Sequence, residues 1–376
     1  MEQFSERDHH YMSRALALAA RGRYTVGANP MVGCVIVRDE EIVAENYHHR
    51  IGSPHAEPLA LAAAADAAHG ATVYVTLEPC VHQGRTPPCV PSLIEAKVKR
   101  VVIAMSDPDP RVNGQGIAEL RAAGVQVEHG LLAQQAQALN CGFVSRIKRG
   151  RPWLRIKSAI SLDGHIALAC GASSWISGEA ARRDVQFWRA QSTALLTSSR
   201  TVLADNPQLN VRLDSEALDI KGAVRQPLRV VLDRKLTTSP SAKIYNSDAP
   251  TIVVCDNTAD KELMAQFEQK GVEILTVQAI KSRAILVELL ETLAAQYEIN
   301  EIQVEAGGVL FGAIVEADLC DELLLYLAPC ILGAGSQGLA RFDNVVRTMD
   351  ERINFSYKEV KNIGDDIRII AQPCRQ

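Results

Sequence analysis

The chain has 376 residues, of which 47% are hydrophobic and 22% are charged, and its formal net charge is −4. This length predicts two or three domains, and the composition is that of a globular protein. The acidic charge excludes a general electrostatic attraction for nucleic acid, and the lack of any apolar run of about 18 residues excludes a membrane-spanning helix.

Nine cysteines are scattered along the chain without the dense, even-numbered pattern of a disulfide framework. This usage favours a reducing compartment, in which cysteines are free thiols or metal ligands. The polar and charged N-terminal residues predict no secretion signal. We therefore expect a cytoplasmic protein.

Strands alternate with helices over the first 147 residues, which predicts a layered α/β domain. Ser5 can cap the first helix, whose apolar residues recur at helical spacing. A rigid Asp-Pro-Asp-Pro loop at 107–110 follows one of the strands. The predicted helices are 5–22, 56–69, 117–123 and 131–147, with another starting near Cys89, and the predicted strands are 34–37, 42–46, 72–77, 101–105 and 125–128.

The basic segment 148–152 contains glycine and proline, and it predicts a boundary between a domain 1–149 and a domain 150–376. A second alternation of strands and helices follows it, and the segments 202–212 and 213–226 read as loops. The predicted helices are 178–191, 283–297 and 309–317, and the predicted strands are 153–159, 194–198, 229–232, 251–255, 272–277, 302–305, 322–328, 353–360 and 367–371.

The stretch from His55 to Cys89 offers one imidazole and two thiols, a ligand set that suits zinc. His55 starts an alanine-rich helix, Cys80 follows a β-branched strand, and prolines around Cys89 are typical of a helix start. Three protein ligands leave a tetrahedral ion one open position, as in catalytic sites. With Glu57 two residues after His55, the order matches the zinc deaminase signature, although eight residues separate the cysteines instead of two.

This set of residues can carry out hydrolytic deamination. Zinc lowers the pKa of a bound water from about 15.7 to about 7, so that hydroxide can attack an amine-bearing ring carbon. Glu57 would take the proton of the water and pass it to the departing ammonia. Two alternatives remain open: a closed structural zinc site with His82 as fourth ligand, or two buried free cysteines.

Two glycine clusters in the second half could contact a phosphate. The segment 333–338 reads G-x-G-x-x-G, but it comes late and no convincing helix follows, so we do not expect a dinucleotide-binding turn there. The segment 306–308, Ala-Gly-Gly, lies where a predicted strand ends and a helix begins, so its backbone N–H groups could bind an anion. A tight turn without a ligand is the alternative.

Seven segments form a pattern that is more specific than any single motif. They are HAE at 55–57, EPCVHQGRTPPC at 78–89, DPDPRVNGQG at 107–116, KSAISLDGHIA at 157–167, SSWISGEAARRDVQFWRA at 173–190, TVLADNPQLNVR at 201–212 and VEAGGVLFG at 304–312. Together they resemble the bifunctional deaminase–reductase family of riboflavin biosynthesis, from residue 5 to about residue 371.

The resemblance implies a cytidine-deaminase-like three-layer αβα domain followed by a dihydrofolate-reductase-like α/β domain. The first domain would deaminate 2,5-diamino-6-ribosylamino-4(3H)-pyrimidinone 5′-phosphate. The second would use NADPH to reduce the ribosyl group of the product, 5-amino-6-(5-phosphoribosylamino)uracil, to ribityl. Zn²⁺ and NADPH are therefore the implied cofactors, and small phosphorylated pyrimidines are the implied partners. We expect no nucleic-acid or membrane partner, and we expect a homo-oligomer.

The resemblance also assigns residues. In the first domain it assigns proton transfer to Glu57, zinc ligation to His55, Cys80 and Cys89, and substrate contacts to Asn29, His48, His82, Arg85 and Asp107. In the second it assigns NADPH contacts to Ala159, Trp175, Thr201, Asp205, Gly307 and Gly308, and substrate contacts to Lys157, Ser173, Arg189, Leu209, Arg212 and Glu305. Arg189 and Arg212 are the expected phosphate clamps. The chain departs from the family at Asp109, where Asn is common, and at Arg234, where a small hydroxyl residue often contacts the cofactor.

Two other functions are possible from the residues. One is a tRNA-type zinc deaminase with an accessory domain. The acidic net charge argues against it, and so does the second half of the chain, which such an enzyme would not need. The other is a zinc-binding protein with two inert domains. That reading predicts that replacing Glu57 with glutamine leaves every measurable function intact, whereas the enzyme reading predicts a loss of deamination.

Overall fold

The computed structural model describes residues 4–84, 86–173, 176–246, 249–278, 283–344 and 346–374. The chain divides into two compact units, Met1–Gly150 and Arg151–Gln376. Within the described ranges, every helix is too short or too polar to cross a membrane.

The first unit is built on a five-stranded sheet in the order β2-β1-β3-β4-β5. Strand β1 pairs antiparallel with β2 and β3, whereas β3, β4 and β5 run parallel. The helices are α1 (Glu6–Ala19), α2 (Ala56–Ala64), α3 (Cys89–Glu95), α4 (Gln115–Ala122), α5 (Ala133–Leu139) and α6 (Cys141–Arg149), and the strands are β1 (Gly33–Arg38), β2 (Glu41–Tyr47), β3 (Thr72–Leu77), β4 (Arg100–Met105) and β5 (Gln126–His129).

The central strands β1, β3 and β4 are buried along almost their whole length, which requires cover on both faces of the sheet. Helix α1 begins at a capping box between Ser5 and Asp8 and crosses β1 at Gly33. A Cβ at Gly33 would lie 2.0 Å from the Ala15 carbonyl oxygen, so only glycine allows the helix this close. The result is the three-layer αβα arrangement that the resemblance implies.

The predicted single helix 131–147 is wrong, because α5 and α6 are separate helices on either side of Asn140. Asn140 is buried and leaves helical geometry at φ −107° and ψ 28°. Its side-chain amide donates to the Met31 carbonyl oxygen (2.9 Å) and accepts from the Met31 N–H (2.7 Å). The helix therefore breaks where the asparagine binds a distant loop.

The second unit is built on a nine-stranded sheet in the order β11-β10-β9-β8-β12-β6-β13-β16-β15, which is parallel from β11 to β13 and antiparallel beyond. The helices are α7 (Glu179–Gln191), α8 (Ser199–Asp205), α9 (Lys261–Glu268), α10 (Arg283–Gln296) and α11 (Gly308–Glu316), and the strands are β6 (Trp153–Ser161), β7 (His165–Ala167), β8 (Ala194–Ser198), β9 (Leu228–Leu232), β10 (Thr251–Asp256), β11 (Glu273–Val277), β12 (Glu301–Val304), β13 (Glu322–Ala328), β14 (Gln337–Gly338), β15 (Phe355–Ile363) and β16 (Asp366–Pro373).

Both faces of this sheet carry a hydrophobic core. Val230 and Ile252 belong to one cluster of buried side chains, and their chain neighbours Val231 and Val253 belong to another. Because successive strand residues point to opposite faces, the two clusters lie on opposite sides of the sheet. The parallel strands are thus covered on both faces, as the second predicted α/β domain requires.

Three elements of the second unit differ from the sequence-based expectation. The predicted loop 202–212 begins inside α8, which the Ser198 hydroxyl caps by accepting from the Thr201 N–H. Helix α9 and the short ribbon formed by β7 and β14 lie in segments for which no element was predicted. The ribbon has only two or three residues in each strand, too few for a recognisable alternation.

Candidate active sites

Three element ends of the first unit bring the predicted zinc ligands together. His55 is the N-cap residue of α2, Cys89 is the first residue of α3, and Cys80 follows the end of β3. The backbone N–H groups of Cys89 and Val90 both donate to the Cys80 carbonyl oxygen, at 3.1 and 3.3 Å. These bonds hold the two cysteines side by side although eight residues separate them.

The geometry of the three side chains fits a zinc ion. Their ligand atoms all lie within 4.8 Å of one another, and His55 Nδ1 is 3.3 Å from Cys89 Sγ and 3.6 Å from Cys80 Sγ. A tetrahedral ion with ordinary Zn–N and Zn–S bonds separates such atoms by about 3.6 Å. Among the described residues the cluster contains only these three ligands, so the alternative with His82 as fourth ligand finds no support.

Glu57 lies on the first turn of α2, is 3% exposed, and interacts with the Cys89 thiol. Burial raises the pKa of Glu57 above its ordinary value. A hydrogen bond from Cys89, together with His55, lowers the pKa of the Cys80 thiol to about 4, so a thiolate is available to a metal. A buried carboxyl beside the metal ligands is placed to accept a proton and to return it.

His48 lies beside the zinc ligands, and its hydrogen bonds fix the orientation of a neutral imidazole ring. It is buried, its ring packs edge-on against that of His55 at 5.6 Å, and burial lowers its pKa. Its Nδ1–H donates to the Pro54 carbonyl oxygen (3.2 Å), so Nε2 is the acceptor, and the Asn29 side-chain amide donates to it (2.9 Å). Two predicted substrate residues, Asn29 and His48, are therefore joined next to the metal cluster.

The remaining predicted substrate residues of the first unit lie on two loops. Asp107 is buried after β4, and desolvation raises its pKa to about 7. Asp109 is paired with Arg111, so this departure from the family pattern uses its carboxylate within its own loop. The Nδ1 atom of His82 is buried and has no hydrogen-bond partner among the described residues. Arg85 lies outside the described residues.

The second unit contains a cavity of about 1020 Å³ at the carboxyl ends of its parallel strands. Ligands of open α/β sheets bind at this edge. All the predicted cofactor and substrate residues of this unit line the cavity except Trp175, which lies outside the described residues; they are Lys157, Ala159, Ser173, Arg189, Thr201, Asp205, Leu209, Arg212, Glu305, Gly307 and Gly308.

A charged network forms one wall of this cavity. Arg189 donates from Nε and Nη2 to the two carboxylate oxygens of Glu305, at 2.6 and 2.8 Å. Burial alone would raise the pKa of Glu305, but the charge and hydrogen bonds of Arg189, with Lys157, lower it to about 2. Desolvation in turn lowers the pKa of Lys157. The wall therefore offers one carboxylate that stays ionised and an amine that gives up its proton more easily than usual.

The two glycine clusters, in the segments 306–308 and 333–338, contact each other at another wall of the cavity. Gly307 is the N-cap of α11, and a Cβ there would meet nothing within 4 Å, so this backbone is open to a ligand. Gly308 is different: a Cβ would lie 2.8 Å from the Gly338 carbonyl oxygen, so this glycine permits the segment 338–341 to cross the helix start. The late G-x-G-x-x-G motif ends in this crossing and opens no helix.

Sequence reasoning missed two buried side chains of these sites. Glu78, which is 2% exposed, accepts three backbone hydrogen bonds from the loop after β4. Gln303 is fully buried and its side-chain amide donates to Glu305 (2.8 Å), whereas its side-chain oxygen has no partner in the described ranges. A polar residue within an apolar strand is the signal that could have found Gln303. For Glu78 the only local signal is an acid next to a proline at a strand end.

Family models match both units. Residues 5–105 match the cytidine and deoxycytidylate deaminase zinc-binding region, and residues 152–369 match the RibD C-terminal domain. With the three-ligand cluster in one unit and the lined cavity in the other, the fold and the sites define a bifunctional enzyme, a zinc-binding deaminase joined to a reductase.

Full-length relatives identify the family. The chain is 46% identical to the riboflavin biosynthesis protein RibD of Escherichia coli over 96% of this chain and 98% of that protein, and 43% identical to that of Haemophilus influenzae over 99% of both. A solved Acinetobacter baumannii RibD superposes with a TM-score of 0.88 at 41% identity, covering 98% of this chain and 99% of the other. The chain therefore belongs to the RibD family of bifunctional riboflavin biosynthesis deaminase–reductases.

A solved Thermotoga maritima protein names both activities of a relative. It is described as a diaminohydroxyphosphoribosylaminopyrimidine deaminase/5-amino-6-(5-phosphoribosylamino)uracil reductase, and it is 31% identical with a TM-score of 0.84, covering 98% of this chain and 99% of the other. Membership of this family excludes the two alternative functions that the sequence left open, the RNA-editing deaminase and the inert zinc-binding protein.

Proposed function

We propose that the first unit, with the boundary near residue 149, deaminates 2,5-diamino-6-ribosylamino-4(3H)-pyrimidinone 5′-phosphate. The second unit then reduces the ribosyl group of the deaminated product to ribityl with NADPH. The observation that carries the proposal is the cluster of three metal ligands with the buried carboxyl of Glu57 beside it. The activities named for the Thermotoga maritima relative support the choice of substrates.

In the first unit His55, Cys80 and Cys89 would hold a zinc ion, which when bound would supply the Lewis acidity that activates water. Glu57 accepts the proton of the attacking water on its carboxylate and returns it to the departing amino group as ammonia leaves. Its position beside the metal ligands suits both steps, and burial raises its pKa, which favours the protonated form that returns the proton. Burial of Glu57 also excludes competing solvent from the proton path.

The substrate of the first unit is held by the groups around the metal cluster. Asn29 and His48, which are hydrogen-bonded to each other, contact the pyrimidine ring. Asp107 contributes a carboxyl from the loop after β4. The Nδ1 of His82, which has no partner within the described part of the chain, can hydrogen-bond to a substrate atom. Arg85 binds the phosphate, since guanidinium pairs with phosphate in a bidentate manner.

In the second unit Ala159, Thr201, Asp205 and the turn 307–308 would hold NADPH. The family resemblance adds Trp175, which lies outside the described residues. The open backbone at Gly307 supports this assignment, because the start of α11 carries free N–H groups and positive helix potential that suit a pyrophosphate. When bound there, NADPH would supply the hydride for reduction at the sugar C1′.

The same cavity holds the sugar phosphate on its other wall. Arg189 and Arg212 bind the phosphate, and Lys157 with Glu305 orients the sugar at the point of hydride arrival. Ser173 and Leu209 complete the substrate side, the former close to Asp205 (3.3 Å). A proton needed at the sugar can come from Lys157, whose pKa is lowered by burial.

The order of the two reactions is the first testable consequence. When the diamino pyrimidine phosphate and NADPH are supplied together, ammonia should appear first and NADPH absorbance should fall afterwards. Stripping the metal with a chelator should abolish ammonia release but leave NADPH oxidation intact when the deaminated product is supplied directly. NADPH oxidation that precedes ammonia release would contradict the proposed order, and ammonia without any oxidation would contradict the assignment of the second unit.

A further inference from the structure

Glu78 stands at the centre of an arrangement that none of the catalytic assignments uses. It follows the last residue of β3 and precedes Cys80 by two positions, and it is 2% exposed. The charged neighbour that would usually accompany a buried acid is a lysine or arginine. Here the Glu78 carboxylate instead accepts hydrogen bonds from backbone N–H groups.

Those donors lie at the two ends of the segment that runs from the end of β4 to the first turn of α4. Glu78 Oε2 accepts from the N–H of Asp107 (3.2 Å) and the N–H of Gly114 (3.0 Å), and Oε1 accepts from the N–H of Ile117 (3.2 Å). Gly114 is the N-cap of α4 and has no side chain with which to cap it. The carboxylate of Glu78 therefore caps the helix from a distant strand and fixes both ends of the loop.

The loop also contacts the segment that carries the metal ligand. A Cβ at Gly116 would lie 2.2 Å from the Pro79 carbonyl oxygen, so the start of α4 rests directly on the backbone next to Cys80. Asp107 at the other end is buried, and its side chain accepts the N–H of Asp109 (2.8 Å). One carboxylate thus connects the backbone of a zinc ligand with the loop that carries a substrate-side acid.

We propose that Glu78 is a positioning residue that sets the distance between the substrate-binding loop at Asp107 and the metal cluster at Cys80. The inference rests on the proposed deamination, in which Asp107 contacts the pyrimidine. Its effect acts through substrate binding, because the bonds of Glu78 go to the loop and none of them goes to His55, Cys80 or Cys89.

The test is Glu78→Gln in the full-length zinc-loaded chain. Glutamine has the same shape but only one acceptor oxygen, so its NH₂ group must face either the Ile117 N–H or the pair from Asp107 and Gly114. We expect the KM of deamination to rise about tenfold or more, as for the loss of one or two hydrogen bonds to a charged group. The kcat should change by less than about threefold, zinc should stay near one ion per chain, and NADPH-dependent reduction of the deaminated product should be unchanged.

The matched control is Glu128→Gln. It removes a carboxylate on β5 of the same unit that pairs with Arg100 on β4. It should leave the KM of deamination at the wild-type value. A second variant, Gly116→Ala, keeps the Glu78 carboxylate but places a Cβ 2.2 Å from the Pro79 carbonyl oxygen, so the start of α4 must move away from Pro79. It should raise the KM as Glu78→Gln does.

A wild-type KM in Glu78→Gln with zinc bound overturns the inference. If Glu78→Gln loses zinc, Gly116→Ala decides: a raised KM with zinc retained supports the positioning role, and an unchanged KM overturns it. Failure of the wild-type chain to release ammonia would instead contradict the proposed function, so the two failures are distinguishable.

Discussion

Replacing Glu57 with glutamine is expected to lower the kcat of deamination by about three orders of magnitude, the range in which positioned general acid–base groups contribute. The amide keeps the size of the carboxyl but cannot accept the proton of the attacking water or return it to the leaving amine. The measurement is ammonia release from the diamino pyrimidine phosphate under single-turnover conditions. Because Glu57 is no part of the three-ligand cluster, zinc content should be unchanged.

The same chain supplies the control for this experiment. Reduction of the deaminated product by NADPH depends on the second unit and should proceed at the wild-type rate in Glu57→Gln. Ammonia release within tenfold of wild type, with zinc bound and reduction intact, would show that Glu57 does not transfer the proton.

Replacing Glu305 with glutamine is expected to have the second-largest effect, at least a hundredfold loss of kcat/KM for reduction. The change removes the carboxylate that pairs with Arg189 and interacts with Lys157 in the cavity wall. Breaking a buried ion pair by removing one partner costs about 3–5 kcal/mol. We therefore also expect the second unit to lose about 3 kcal/mol of unfolding free energy at pH 7, while deamination is unchanged.

The stability effect has a defined pH dependence. The pKa of Glu305 is lowered from its usual 4.5 to about 2, so its stabilising contribution is complete above about pH 4.5 and is lost as pH falls through about 2. The difference in unfolding free energy between wild type and Glu305→Gln should stay constant from pH 7 to about 5 and narrow below that. A difference that narrows instead as pH rises towards 8 would contradict the ion-pair account.

Urea titration followed by tryptophan fluorescence can isolate the second unit, because all three tryptophans, Trp153, Trp175 and Trp188, lie in it. Glu301→Gln is a matched control, since Glu301 lies on β12, just before Glu305, and accepts from the buried Arg155 but does not line the cavity. It should destabilise the unit while leaving the KM values of reduction close to wild type.

The zinc ligands could be predicted from the sequence because each sits at the end of an element with a strong local signal. An alanine-rich helix follows His55, a β-branched strand precedes Cys80, and prolines precede the helix that begins at Cys89. The buried parallel strands were predictable for a similar reason, since runs of Val, Ile and Leu bounded by turns are typical of them.

What could not be predicted depends on contacts between distant segments. Asn140 breaks a helical pattern because its amide binds Met31, which lies 109 residues earlier. Gly308 reads as part of a phosphate-binding turn, yet the missing Cβ is needed for the backbone at Gly338. From the sequence alone Glu78 is an acidic residue at the end of a strand. Its role becomes visible only when the backbone N–H groups that it binds are known. Local patterns reveal a residue's own element, whereas these roles exist only once two elements meet.

The most direct test of the account is X-ray absorption spectroscopy of the zinc-loaded chain, with metal content measured on the same sample. The account predicts one zinc per chain with two sulfur ligands at about 2.3 Å, one imidazole nitrogen, and one further light-atom ligand that is not supplied by the protein. Mutation of His82 should leave this spectrum unchanged. A chain that binds no zinc, or one whose zinc is enclosed by four protein side chains, would contradict it.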